Sequence, residues 1–303
     1  MSRLRLVVTG SAAGGGFPQW NCGKAVSARY WRGDAGVVAR TQSSMIASVD
    51  GERWLLLNAS PDIRQQIIAT PVLHPSPGAR HTPIEAVLLT NGDIDHIAGL
   101  LSLRERQPFV LYATAAIHEV LDRNQIFDAL ARDIVDRRTI GLGDIVETEP
   151  GVGFEIFAVP GKVPLFMEDG DPLIGAETDT TIGVRLFGRA GETAYYIPGC
   201  ALVPPPLRQR LSGADLLLFD GTLWTDDEMI RQGVGEKTGR RMGHISISGA
   251  DGSIAAFAAL GIRRKVFVHI NNTNPVLIED SPERGKAEQA GWEIAHDGLE
   301  LAL

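Results

Sequence analysis

Cysteine is nearly absent from this 303-residue chain, where only Cys22 and Cys200 occur. Two thiols cannot supply a disulfide framework, so the fold must rest on its core, and a reducing, cytoplasmic setting is expected. Long apolar runs are missing too. A membrane-spanning helix needs about 20 apolar residues, and no stretch approaches that, which excludes a membrane span. The apolar residues between Arg5 and Gly10 are too few for the core of a secretory signal and read as a first strand. Basic clusters are also lacking. With 29 Lys and Arg against 37 Asp and Glu, a formal charge of −8 and no Lys/Arg run, nucleic acid and acidic lipid are excluded as the main partner. A small molecule or short peptide remains.

What is present is an ordinary globular composition, 44% hydrophobic and 22% charged, without a solenoid repeat or low-complexity tract. The Pro-rich pieces at 71–77 and 204–206 are loop-sized. Runs of Val, Ile, Leu and aromatics predict strands at 4–9, 45–49, 54–58, 86–90, 109–112, 194–197, 215–219 and 265–270. Helical patterns bounded by Gly, Pro, Ser or Thr fall at 97–106, 114–130, 205–211, 252–260 and 282–290. Strands that come first in hairpin-like groups and later between helices predict α/β architecture, with two mixed sheets packed face to face and helices outside. One domain over 1–303 is expected.

The most informative segment runs from 86 to 103, AVLLTNGDIDHIAGLLSL: an apolar strand, a polar turn, an apolar helix. Asp93, Asp95 and His96 leave a backbone that changes direction within four positions, so they can converge on one ion. The alternative is that an Asp here merely caps the helix.

Strand, turn and helix with this spacing resemble the metallo-β-lactamase motif HxHxDH, written here Asn91-Gly92-Asp93-Ile94-Asp95-His96. The resemblance implies a four-layer αββα sandwich with two metal positions. One of these reads as dismantled, because Asn91 and Asp93 replace its two histidines and Lys162, in VPGKVP, stands where its third would fall. The other reads as intact, with Asp95, His96 and His269, the last closing the run KVFVHI. Asp220, at the end of ADLLLFD, is a weaker ligand candidate, since a strand-end Asp before Gly is commonly a turn residue. Asp93 is either a fourth ligand or an acceptor that orients His96. Two histidines and one carboxylate with open positions form the set associated with non-haem Fe(II) oxygenases, so one divalent ion is expected, Fe(II) favoured, with Zn, Mn or Mg also accommodated.

Blocks along the whole chain, including GSAAGGGFPQWNC, LLLNASPDIRQQI, YIPGC, GTLW, RQGVGEKTGRRMGH and VFVHINNTNPVLIEDS, resemble the family of B proteins of pyrroloquinoline quinone (PQQ) biosynthesis. That likeness implies a PQQ precursor as the partner, a cross-linked Glu–Tyr unit, alongside other proteins of the pathway. It also implies O2 as co-substrate for hydroxylation of the tyrosine ring. The alternatives are a soluble carrier of PQQ or its precursor toward the periplasm, and a metal-dependent hydrolase. His244 and Lys162 are the candidate catalytic groups, the first for acid–base work and the second for neutralising carboxylates. The loop 233–243, with Lys237, Arg240 and Arg241, is either a site for a carboxylate-rich substrate or a solvated surface. Gly14–Gly16 lacks dinucleotide-loop spacing and suits a tight loop near the site. The family commonly continues WNC into a Cys-x-Cys-x-x-Cys zinc cluster, but Lys24 and Ser27 stand at two of those positions here. No structural zinc is therefore expected at Cys22, and both cysteines are expected as buried thiols.

Overall fold

A computed structural model describes residues 3–76, 78–148, 151–168 and 174–303. The first part of the chain forms strands β1 (Arg5–Gly10), β2 (Ser44–Ser48), β3 (Trp54–Leu57), β4 (Ile84–Leu88), β5 (Phe109–Ala113) and β6 (Val135–Thr139). The rest forms β7 (Ile145–Glu147), β8 (Gly153–Gly161), β9 (Ala176–Phe187), β10 (Thr193–Ile197), β11 (Leu216–Asp220), β12 (Arg264–Val268), β13 (Trp292–Ile294) and β14 (Leu299–Ala302). They build two seven-stranded sheets, ordered β14-β1-β2-β3-β4-β5-β6 and β13-β12-β11-β10-β9-β8-β7. Each sheet is mixed: β14 to β3 and β10 to β7 pair antiparallel, whereas β3 to β6 and β10 to β13 pair parallel.

The strand period of two sorts the apolar side chains into layers. In β3, Leu55 and Leu57 lie between the sheets, while Trp54 and Leu56 point to the outer face. In β11, Leu216 and Leu218 enter the same central layer and Leu217 and Phe219 pack outward. Parallel strands covered on both faces need apolar residues at consecutive positions, hence the runs LLLF and VFV. Helices complete the outer layers: α1 (Ala25–Trp31), α2 (Ile63–Ala69), α3 (Ile94–Ile97), α4 (Ala115–Asp122), α5 (Pro205–Leu211), α6 (Glu228–Gln232), α7 (Ser253–Phe257) and α8 (Pro282–Gln289). The expected αββα sandwich is thus the observed architecture. Among the described residues, no helix is long and apolar enough to cross a membrane.

Several element predictions need correction. The helix expected over 97–106 is α3 followed by a 3-10 stretch, Ala98–Leu103. Its backbone is pulled close to the loop after β3, where a Cβ on Gly99 would meet the Ser60 carbonyl at 2.0 Å, so only glycine fits. The helix expected over 114–130 ends at Asp122 and resumes as a 3-10 turn, Gln125–Ala129. The Pro-rich pieces are not plain loops: Pro71–Leu73 is a 3-10 turn and Pro205 opens α5, where proline's fixed φ suits a first helical turn. Pro77, at the end of the first piece, lies outside the described residues.

Candidate metal centre

The site forms on the rim where parallel strands from both sheets end. In open α/β sheets this carboxyl edge gathers chain reversals whose side chains share one crevice. β4 delivers Asn91 to His96, β11 ends on Asp220, and His269 follows β12. Lys162 follows β8 on the same rim, and an added methyl on Gly14, beyond β1, would sit 3.5 Å from the Asp95 carboxyl. Gly14–Gly16 is therefore a tight loop at the site, as expected.

Asp93 occupies the position preceding α3, yet its side chain makes no capping hydrogen bond. Capping therefore does not account for the acid at the head of this turn. His96 lies one turn into the element and is 1% exposed. Its Nδ1 lies 2.6 Å from Asn91 Oδ1, an oxygen that also accepts the Asp93 amide at 3.0 Å. An amide oxygen only accepts, so His96 donates from Nδ1 and its lone pair sits on Nε2. That Nε2 is buried with no hydrogen-bond partner among the described residues, and burial pushes the His96 pKa down to about 4. A buried acceptor aimed at nothing is costly unless a cation meets it. The acceptor that orients His96 is therefore Asn91, not Asp93. Asn91→Leu is expected to weaken metal binding by about 10–100-fold without abolishing it, as loss of an outer partner does. Chelator competition measures this.

His269 adopts a left-handed backbone, φ 55°, an uncommon state for a side chain of this size and one that concentrates at functional positions. Its Nδ1 lies 2.8 Å from the Thr222 hydroxyl. That hydroxyl has one hydrogen, directed at Asp220 Oδ1 (2.6 Å) or the His269 carbonyl (3.0 Å), so toward the ring it only accepts. His269 thus donates from Nδ1 and turns Nε2 to Asp95 Oδ2, 3.1 Å away. Without a cation that contact requires a second proton on the ring. Burial opposes the proton, but the Asp95 hydrogen bond and the charges of Asp95 and Asp220 outweigh it and hold His269 above its ordinary value of 6.5. Asp95 is correspondingly held well below the carboxylate range: burial opposes ionisation, but His96 and His269 overcome it.

Asp95, His96 and His269 thus present donor atoms within 4.8 Å of one another. An unpartnered imidazole lone pair and a proton-bridged imidazole–carboxylate pair fit a divalent cation. Between about pH 4 and the raised His269 value, metal binding is expected to displace a proton from His269 and not from His96; titration calorimetry in buffers of different ionisation enthalpy measures it. In the metal-free chain, protonated His269 contributes stability below pH 6.5, and this fades as pH rises through the raised value.

A further group, Asp220, His244 and His269, also lies within 4.8 Å, but the Thr222 hydroxyl bonds to all three members. Fully buried Asp220 accepts from the Cys200 amide (2.9 Å), the Thr222 amide (3.0 Å), the Thr222 hydroxyl (2.6 Å) and His244 Nδ1 (2.7 Å). Burial raises its pKa, but His244 and these bonds bring it below the usual value. His244, with Nδ1 committed to Asp220, lines the cavity.

The cavity over this rim holds about 440 Å³ and is lined by Asp93, Asp95, His96, His244 and His269 on one side, with Lys162, Glu168 and Lys237 also in its wall. Asp93 lines it but stands outside both groups of convergent donors. The loop 233–243 divides: Lys237 and Arg241 each lie 3.2 Å from Glu168, whereas Arg240 is exposed to solvent. The cysteines divide as well. Cys200 is buried as expected, but Cys22 is only half-buried, because the WNC loop runs along the surface beside exposed Trp20. Sequence reasoning missed Thr222, Glu168 and the role of Asn91.

The profile of the beta-lactamase superfamily domain matches residues 53–270. Coenzyme PQQ synthesis protein B of Methylobacterium nodulans is 58% identical over 300 residues, 99% of this chain and all of that protein. The protein of that name from Xanthomonas oryzae pv. oryzae is 54% identical over 302 residues, with 99% and 100% covered. Among solved structures, Zn(2+)-bound PqqB from Methylobacterium extorquens superposes with a TM-score of 0.97 at 59% identity, covering 99% of this chain and 100% of that one. A diphosphatase of the PhnP family shares the fold, with a TM-score of 0.73 at 23% identity over 99% and 97% of the two chains.

Proposed function

The chain belongs to the beta-lactamase superfamily and, within it, to the coenzyme PQQ synthesis protein B family, and from that premise we propose an oxygenase that hydroxylates the tyrosine ring of the Glu–Tyr-derived PQQ precursor. The observation that carries the reading is the donor set: two imidazole nitrogens and one carboxylate converge while Asn91 serves as a hydrogen-bond acceptor for His96. This leaves a mononuclear centre instead of the paired metals that activate water in hydrolases. Asp95, His96 and His269 would hold the ion, iron by preference, and when bound it supplies oxygen activation. Asp93 stays in the cavity wall as an added negative charge. Asp220 acts through His244 and Thr222 rather than as a ligand.

The remaining steps belong to side chains. His244 Nε2 exchanges a proton with the phenol, and the Asp220 carboxylate stabilises the imidazolium that forms. Lys162 binds a substrate carboxylate, and the cavity wall excludes bulk water around the ring. The test is O2 consumption: with Fe(II) and a reductant, uptake is expected to depend on the precursor. Turnover with zinc in the absence of oxygen would instead identify a hydrolase. Binding of the quinone without turnover, with site variants fully active in vivo, would identify a carrier.

A further inference from the structure

Beside the ligand candidates the cavity wall holds Lys162, Glu168 and Lys237, and among the described residues these form with Arg241 a cluster of one acid and three bases. The Glu168 carboxylate, 9% exposed, lies 3.2 Å from each of three cations, Lys162 Nζ, Lys237 Nζ and Arg241 Nη1. Among the described residues one anion thus contacts three cations, two of them partly exposed, whereas buried charges are ordinarily matched. The pairing is also loose. An arginine–carboxylate bond at its best is a two-nitrogen fork at about 2.7–2.9 Å, but Arg241 offers one nitrogen, and Glu168 Oε1 has no well-directed hydrogen bond.

The elements that carry the cations are held independently of Glu168. Lys162 donates to the Val163 carbonyl at 3.0 Å. Its stem packs against Gly243, whose φ of 88° and close approach, 3.1 Å from an added Cβ to Lys162 Cγ, admit no side chain. The loop bearing Lys237 and Arg241 is pinned by Asp226, which accepts the Arg240 amide at 2.8 Å and, through its carbonyl, the Gly239 amide at 2.8 Å. Glu168 Oε2 accepts from Lys237 Nζ and Arg241 Nη1, each at 3.2 Å, while Oε1 takes no directed bond, so donors on independently held elements converge on one internal carboxylate.

We propose that Lys162, Lys237 and Arg241 form a carboxylate subsite of the substrate cavity, and that Glu168 fills it as an internal stand-in until a ligand carboxylate displaces it. This rests on the reading of the cavity as the substrate site and adds a self-competition to it: affinity is reduced by the fraction of time Glu168 occupies the cations. It also selects acids, since a neutral ligand cannot displace a carboxylate from three cations.

The probe is glutarate, with glutaramide as neutral control, titrated calorimetrically into the metal-loaded chain and into His96→Ala, which removes binding to the ion itself. Glu168→Gln is expected to bind glutarate about tenfold more tightly than the native chain, the gain when an occupant present about 90% of the time is removed. Lys237→Gln/Arg241→Gln, at partly exposed positions, is expected to bind it at least tenfold more weakly, and glutaramide should bind neither. A Glu168→Gln chain that binds glutarate no better than native, or a double variant of native affinity, overturns the proposal; the first of these is what a purely structural bridge between the loops predicts. The readout needs no oxygen, so a chain that behaves as expected here yet takes up no O2 removes the oxygenase reading alone. Precursor-dependent O2 uptake with KM unchanged in Glu168→Gln removes this proposal alone.

Discussion

His96→Ala is expected to lose the metal altogether while keeping the fold. The ring it removes supplies a buried Nε2 with no hydrogen-bond partner among the described residues, one of the three convergent donors. The loss should exceed the roughly 10–100-fold cost of removing an outer partner such as Asn91. A further consequence separates this variant from a merely damaged one. At free metal about 1,000-fold above its dissociation constant, binding stabilises the native chain by about 4 kcal/mol. Added metal should therefore raise the melting temperature of the native protein, and a chelator should lower it, whereas the midpoint of His96→Ala should respond to neither. Metal analysis together with melting curves decides it; a variant that retains one equivalent of metal would remove His96 from the ligand set.

Asp220→Asn is expected to do the reverse, keeping the metal and losing turnover. The carboxylate accepts four hydrogen bonds, and an amide turns a donating NH2 toward at least one of those donors. Unpairing one member of a buried charged pair costs about 3–5 kcal/mol, so a clear drop in melting temperature accompanies the change. Loss of the anion behind His244 removes the tautomer that presents Nε2 and the charge that stabilises imidazolium. A fall in kcat of about 10²–10⁴-fold is expected, the range for a positioned acid–base group. Because Thr222 relays Asp220 to His269, metal affinity declines as well, by no more than the ~10–100-fold of an outer partner. A loss of metal as complete as in His96→Ala would make Asp220 a ligand after all.

The parallel core strands β11 and β12 were legible because strands buried on both faces announce themselves as unbroken apolar runs, as LLLF and VFV do. The long interior strands β8 and β9, GFEIFAVPG and AETDTTIGVRLF, were not, because glycine, proline or polar residues interrupt their apolar positions, and edge strands were not either. β6 reads VDRRT and β7 reads IVE, with exposed positions in both, so neither carries a run or a clean alternation. Short α1 and α2 escape sequence reading too: unlike α5, equally long, neither opens on proline. In the site, Asp95 and His96 were legible because they are adjacent on one turn, and His269 because it closes a strand. The roles of Asn91, Thr222 and Glu168 exist only in space: Asn91 reads in sequence as a missing ligand, and only the placement of its oxygen on His96 Nδ1 gives it a task. Thr222 gains meaning only between two histidines that lie far apart in sequence.

The pairing of β1 with β14, in register from Arg5 opposite Ala302 to Val8 opposite Leu299, governs the order of events during synthesis. The first sheet stays incomplete until residues 299–302 have emerged, and Asp95 waits for His269, 174 positions downstream. Contacts of such long range form slowly, because the chain must close a large loop before any contact rewards it. Nascent chains stalled before residue 269 should therefore capture no ion, which makes metal uptake a reporter of the two sheets coming together.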